Sequence, residues 1–111
     1  MEISCGMEKD FTVIGLNGRL EATQAAALNE SILTALREGS PMLTLDCTGL
    51  DYVASMGLRC FLLAHKEVQK AGGKLVFFGL NDNVRSVFAM TGFDKIAHVR
   101  QDREDALACL R

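Results

Sequence analysis

With 111 residues, the chain has room for one domain around a single core and not for two ordinary ones. Hydrophobic residues make up 49% and charged residues 23%, a balance that folds rather than staying disordered. A net charge of −2 argues against nucleic acid as the main partner, no apolar run approaches the roughly 18 residues that cross a bilayer, and the N-terminus lacks the charged-then-apolar plan of an export signal.

In chain order, residues 2–7 carry a weak first-strand pattern. FTVIGL (11–16) is a stronger strand, apolar on both faces: Phe11, Val13 and Gly15 on one side, Thr12, Ile14 and Leu16 on the other. NGRL then reads as a turn. Residues 22–39 read as a helix, with Ala25, Leu28, Ile32, Leu33 and Leu36 at helical spacing, Thr23 as its N-cap, and Gly39 and Pro41 as its stop. MLTLDC (42–47) alternates as a strand and runs into a loop, TGLDY. A second helix spans Ser55 to about Ala71, with Leu58, Phe61, Leu62, His65 and Val68 on one stripe at helical spacing. KLVFFG (74–79) is a third strand, and residues 81–92 a short helix turning Val84, Val87 and Phe88 inward with Gly92 just past its end. Residues 95–99 suggest a short strand and 103–111 a last helix. The order β-β-α-β-α-β-α-β-α predicts an α/β fold, with a mixed, mostly parallel sheet of four to five strands, about four helices and a hairpin at its start.

The four cysteines, Cys5, Cys47, Cys60 and Cys109, form no C-x-x-C pair, and His65 and His98 stand far from them in sequence. That spacing speaks against a metal site and for thiols used as small hydrophobes in a reducing cytoplasm. No glycine-rich phosphate loop or dinucleotide fingerprint is present, and nothing calls for a cofactor. Asp46 and Asp51 read as caps or solvated carboxylates.

The chemistry concentrates at Ser55, where a strand gives way to a helix. As a nucleophile it lacks the leading glycine of a G-x-S-x-G elbow, because the residues are Val53, Ala54, Ser55, Met56 and Gly57. It also lacks a nearby base: His65 lies ten residues along the same helix, roughly 15 Å away by rise alone. As a helix cap, Ser55 would hold an orphan amide. As a phosphate acceptor, it would place a dianion where free amides and the helix dipole favour negative charge. A partner docked on the apolar rim beside Val53 and Met56 would have to desolvate that charge, so phosphate here suits a binding switch.

Three segments, LNGRLEATQAAALNESI, LTLDCTGLDYVASMGLRCFLLAHK and GGKLVFFGLNDNVRSVFAMTGFDKI, resemble in order and spacing the STAS family, which includes anti-sigma factor antagonists and sulphate-transporter tails. The resemblance implies one STAS domain over residues 1–111. It implies a cytoplasmic regulator rather than an enzyme, acting by partner switching. The unphosphorylated form would bind an anti-sigma factor that is also a serine kinase and so release the sigma factor. Phosphorylation of Ser55, the serine two residues before Gly57, would end that binding, and a phosphatase would reset it. Partner contacts would come from Arg19 and Glu21, and from the stretch Asp51, Ala54, Ser55, Met56, Gly57 and Arg59. Two positions depart from the family pattern: Ala54 replaces an aspartate before the serine, and Glu21 replaces the aspartate of the G-x-L-D turn. Ala54 favours an alternative, an unphosphorylated STAS adaptor subunit in a lipid-transport or stress-signalling complex.

Overall fold

The computed structural model describes residues 2–8, 10–38 and 41–110. Its elements run β1 (Glu2–Glu8), β2 (Phe11–Leu20), α1 (Ala22–Glu38), β3 (Met42–Val53), α2 (Ser55–Lys70), β4 (Lys74–Phe78), α3 (Asp82–Thr91), a single helical turn at Phe93–Lys95, β5 (His98–Arg100) and α4 (Arg103–Leu110). The α/β order is the one expected from the patterning. β1 and β2 form the antiparallel hairpin, and β2 to β5 lie parallel, so sheet order follows chain order. Parallel neighbours need a crossover, and α1, α2 and α3 supply one each.

The helical periodicity becomes the main core. Leu28 and Ile32 of α1, Phe61, Ala64 and Val68 of α2, and Val84 and Phe88 of α3 close over Ile14, Leu16, Leu43, Leu45, Leu75 and Phe77 of the sheet. Phe61, Phe77, Phe88 and Phe93 meet edge to face, with ring centroids 4.9 to 6.0 Å apart. The alternate residues of β4, Val76 and Phe78, face the other way and pack on Ala106 and Leu110 of α4. Both faces of β4 are therefore covered, which is why Leu75, Val76, Phe77 and Phe78 form an unbroken apolar run.

Several local expectations are corrected. NGRL does not turn the chain: it is the last part of β2, and β3 likewise continues through TGLDY to Val53. The two extensions pair with each other in parallel, Asn17 with Gly49, Gly18 with Leu50, Arg19 with Tyr52 and Leu20 with Val53, across two register shifts. Gly18 takes a φ of 109°, which a glycine supplies without strain, so residues that look like a turn make a bulge. Thr23 is not the cap of α1. The helix begins at Ala22, as read, so Thr23 lies inside its first turn, and the Glu21 carbonyl accepts from the amides of Gln24 and Ala25 while the Gln24 side chain accepts from the Glu21 amide. Gly39 lies outside the described residues. The last strand starts only at His98, because a helical turn occupies Phe93–Lys95. Cys47 and Cys60 are buried as small hydrophobes, and burial pushes the Cys60 thiol up to about 11, but Cys5 is exposed on β1.

His65 is buried in α2, its Nδ1 without a hydrogen-bond partner, and its ring stands 6.4 Å from those of Phe93 and His98. Burial holds the imidazole below the ordinary histidine value of 6.5. His98 is lowered too, by burial first and then by Lys74, His65 and Arg100. Both rings are therefore easier to protonate in the unfolded chain. Their neutral-state stabilisation is complete above pH 6.5 and is lost as pH falls through the depressed folded values. Melting temperature is expected to drop between pH 7.5 and 5.5, and His65→Met to flatten that slope. An unchanged slope in the variant would remove His65 from the account.

Candidate functional site

The parallel extensions of β2 and β3 bring the separated candidate residues to one end of the sheet. Arg19 pairs with Tyr52 in the register, and its guanidinium lies 4.3 Å over the Tyr52 ring. Glu21 stands 3.9 Å from Arg19, both half or more exposed, a geometry worth at most about 1 kcal/mol. At the end of β3 the chain leaves the sheet through Ala54, whose amide donates to the Leu20 carbonyl at 2.9 Å. That bond ties the exit of one strand to the end of its neighbour.

Ala54, extended at φ −83° and ψ 170°, holds the N-cap position of α2, and its carbonyl accepts from the Leu58 amide at 2.9 Å. It has no side chain able to accept a hydrogen bond, so no side-chain cap closes this helix. The expectation that Ser55 is the cap is therefore corrected by one residue. Ser55 is the first helical residue, exposed, with its hydroxyl directed to no cap interaction. An uncapped first turn keeps its orphan amides available to an incoming anion.

Gly57 lets this turn sit where it does. A methyl at its Cα would meet Leu20 Cγ at 2.8 Å, the Leu20 carbonyl oxygen at 2.9 Å and Val53 Cγ2 at 2.9 Å. With Gly57 buried against the strand ends, Ser55, Met56 and Arg59 face outward, and Met56 is 51% exposed. Asp51 is also exposed, on the last part of β3. Tyr52 and Asn81 belong to this end of the sheet as well, and the sequence reading missed both. The Asn81 side chain accepts from the Val84 amide at 2.8 Å, capping α3, while its amide group donates to the carbonyls of Leu50 at 3.1 Å and Asp51 at 3.3 Å. An asparagine just before a helical stripe is a legible cap signal, but its bridge to β3 is not. Tyr52 gave no signal until the β2–β3 pairing placed it beside Arg19.

Neither histidine shares this end of α2: the His65 ring stands against those of His98 and Phe93. Asp46, within β3, accepts from the Thr48 amide and hydroxyl at 3.0 and 2.7 Å. Among the described residues no group of three or more His, Cys, Asp or Glu could hold a metal ion, and no helix is long and apolar enough to cross a membrane.

The family model of the STAS domain matches residues 6–106, and the chain belongs to that family. BtrV of Bordetella bronchiseptica, named as an anti-sigma factor antagonist, is 34% identical over 96 residues, covering 86% of this chain and 83% of its own. The anti-sigma-B factor antagonist of Listeria monocytogenes is 30% identical over 94 residues, covering 84% and 82%. Among solved structures, Bacillus SpoIIAA in its phosphorylated form superposes with a TM-score of 0.77 at 20% identity, covering 99% of this chain and 100% of that one. That last likeness is one of fold.

Proposed function

We propose that this chain is a cytoplasmic anti-sigma factor antagonist that works by partner switching. Unphosphorylated, it docks on an anti-sigma factor that is also a serine kinase, and the sigma factor is released. The kinase transfers the terminal phosphoryl group of ATP to the Ser55 hydroxyl oxygen, whose proton is lost as ADP leaves. The phosphorylated form dissociates, and a phosphatase restores the hydroxyl by hydrolysis. The observation that carries this reading is an exposed serine at the uncapped start of α2, on a rim with Met56 and the Arg19–Tyr52 stack. The names of BtrV and the Listeria relative support the class, and SpoIIAA is a neighbour in fold whose phosphorylated form has been solved.

Incubation with the cognate kinase and ATP is expected to add one phosphate, located by peptide mass spectrometry at Ser55 and absent from Ser55→Ala. A chain that neither binds the kinase nor gains phosphate would defeat the reading. Ala54 supports a second one, because the carboxylate usual before the acceptor serine is missing and the residue only caps α2 through its backbone. In that reading the chain is a constitutive STAS adaptor that is never phosphorylated.

A further inference from the structure

Beside Ser55 lies a groove of about 270 Å³ between the first turns of α2 and the end of α3 with the turn that follows it. Its apolar lining is Leu58, Leu62, Phe93 and Ile96, with Arg59 at the rim. Phe93 is a buried floor, whereas Ile96 is 51% exposed, a large apolar side chain left facing solvent. Arg59 is the one charged residue of the lining, and no ion pair engages it among the described residues. An apolar trough with a free guanidinium and no carboxylate complements a protruding apolar side chain with an acidic neighbour. It does not complement a phosphate-rich surface, which needs several cations and meets a chain of net charge −2.

Arg59 has a second relationship. It is four residues after Ser55 on the same helix, the spacing at which side chains become neighbours on a helix surface. A phosphoserine at 55 would offer oxygens that match the guanidinium fork, in a charge-assisted pair stronger than a neutral hydrogen bond.

Resting on the partner-switch reading, we propose that this groove seats a protruding apolar side chain of the kinase with an acidic neighbour, and that Arg59 is the residue the phosphate takes away from that neighbour. Unmodified, Arg59 reaches the carboxylate of that acidic neighbour. Modified, it turns back to the phosphate, so one event adds an unfavourable charge to the rim and removes a favourable one from the groove. The switch therefore has two components on one turn of helix.

The test has a partner-dependent and a partner-free arm. In calorimetry against the cognate kinase with bound ADP, Ile96→Glu and Arg59→Gln are each expected to weaken binding by at least about tenfold while their melting curves stay close to that of the unmodified chain. In the chain carrying phosphoserine at 55, phosphorus NMR titration is expected to show the phosphate's pKa rising by about 0.3 in Arg59→Gln. If the unmodified chain binds and both variants bind within twofold of it, the groove assignment is overturned and the partner switch stands. If the unmodified chain binds no kinase, the partner switch falls and the kinase as occupant falls with it. An unmoved phosphate pKa overturns the role of Arg59, and a homodimer broken by Ile96→Glu makes a second copy the occupant instead.

Discussion

Ser55→Asp is expected to weaken binding to the anti-sigma kinase by at least about 100-fold while leaving the fold intact. Two energies of different size act at this position. Within the fold, a carboxylate at the first helical residue meets the positive end of α2, a contribution of about 0.3 to 1 kcal/mol in favour of the folded state. The side chain is exposed, so nothing is displaced to admit it. At the interface the same carboxylate must lose water against a surface shaped for a hydroxyl, and an unpaired buried charge costs on the order of 3 kcal/mol or more. That difference corresponds to at least about 100-fold in dissociation constant. Ser55→Ala separates charge from contact: it is expected to bind within a few-fold of the unmodified chain and to resist phosphorylation. Calorimetry and a thermal melt on the three proteins decide the matter. Retained binding by Ser55→Asp to a partner that the unmodified chain also binds would favour the constitutive adaptor.

The parts of this site that were legible in the sequence are those set by local pattern. The stripe Leu58, Phe61, Leu62, His65 and Val68 announces α2, although Leu58 and Leu62 are only partly buried and Gly57, Cys60 and Ala64 complete the buried face, and the β-α alternation announces the parallel sheet. The errors fall where non-local pairing overrides a local signal. NGRL and TGLDY carry the Asn, Gly and Asp residues of turns, yet they are about thirty residues apart and stabilise each other as extended backbone across a bulge at Gly18. No window along the chain contains that partnership. The shift of the N-cap from Ser55 to Ala54 has a related cause. The cap is fixed by the Ala54 amide bonding to Leu20, a residue of a different strand, and this places the first helical turn one residue earlier than side-chain preference suggests. The consequence is functional, because a capping serine would be engaged with its own helix, while a serine in the first turn is free for a partner.

Gly57→Ala is the companion prediction, because it tests whether the position of that turn matters. Two effects oppose each other. Alanine is preferred to glycine in a helix by up to about 1 kcal/mol. Against this, the added methyl would lie 2.8 Å from Leu20 Cγ and 2.9 Å from both the Leu20 carbonyl oxygen and Val53 Cγ2. The leucine side chain can yield, but the carbonyl belongs to backbone held by the Ala54 amide at 2.9 Å. Relief therefore requires α2 to move off the sheet or that bond to lengthen, and overpacking of this kind costs about 1 to 3 kcal/mol. The clash should win: Gly57→Ala is expected to lose about 1 kcal/mol in denaturant unfolding. Gly57→Val, with two more methyl groups and no gain in helix preference over alanine, is expected to lose about 3 kcal/mol. Binding should suffer in addition, since a displaced first turn carries Ser55, Met56 and Arg59 with it. An alanine variant as stable as the unmodified chain would show that the strand ends can relax and that the glycine does not fix the helix start. An alanine variant that loses stability yet binds the kinase with full affinity would instead place the docking contacts away from the first turn of α2.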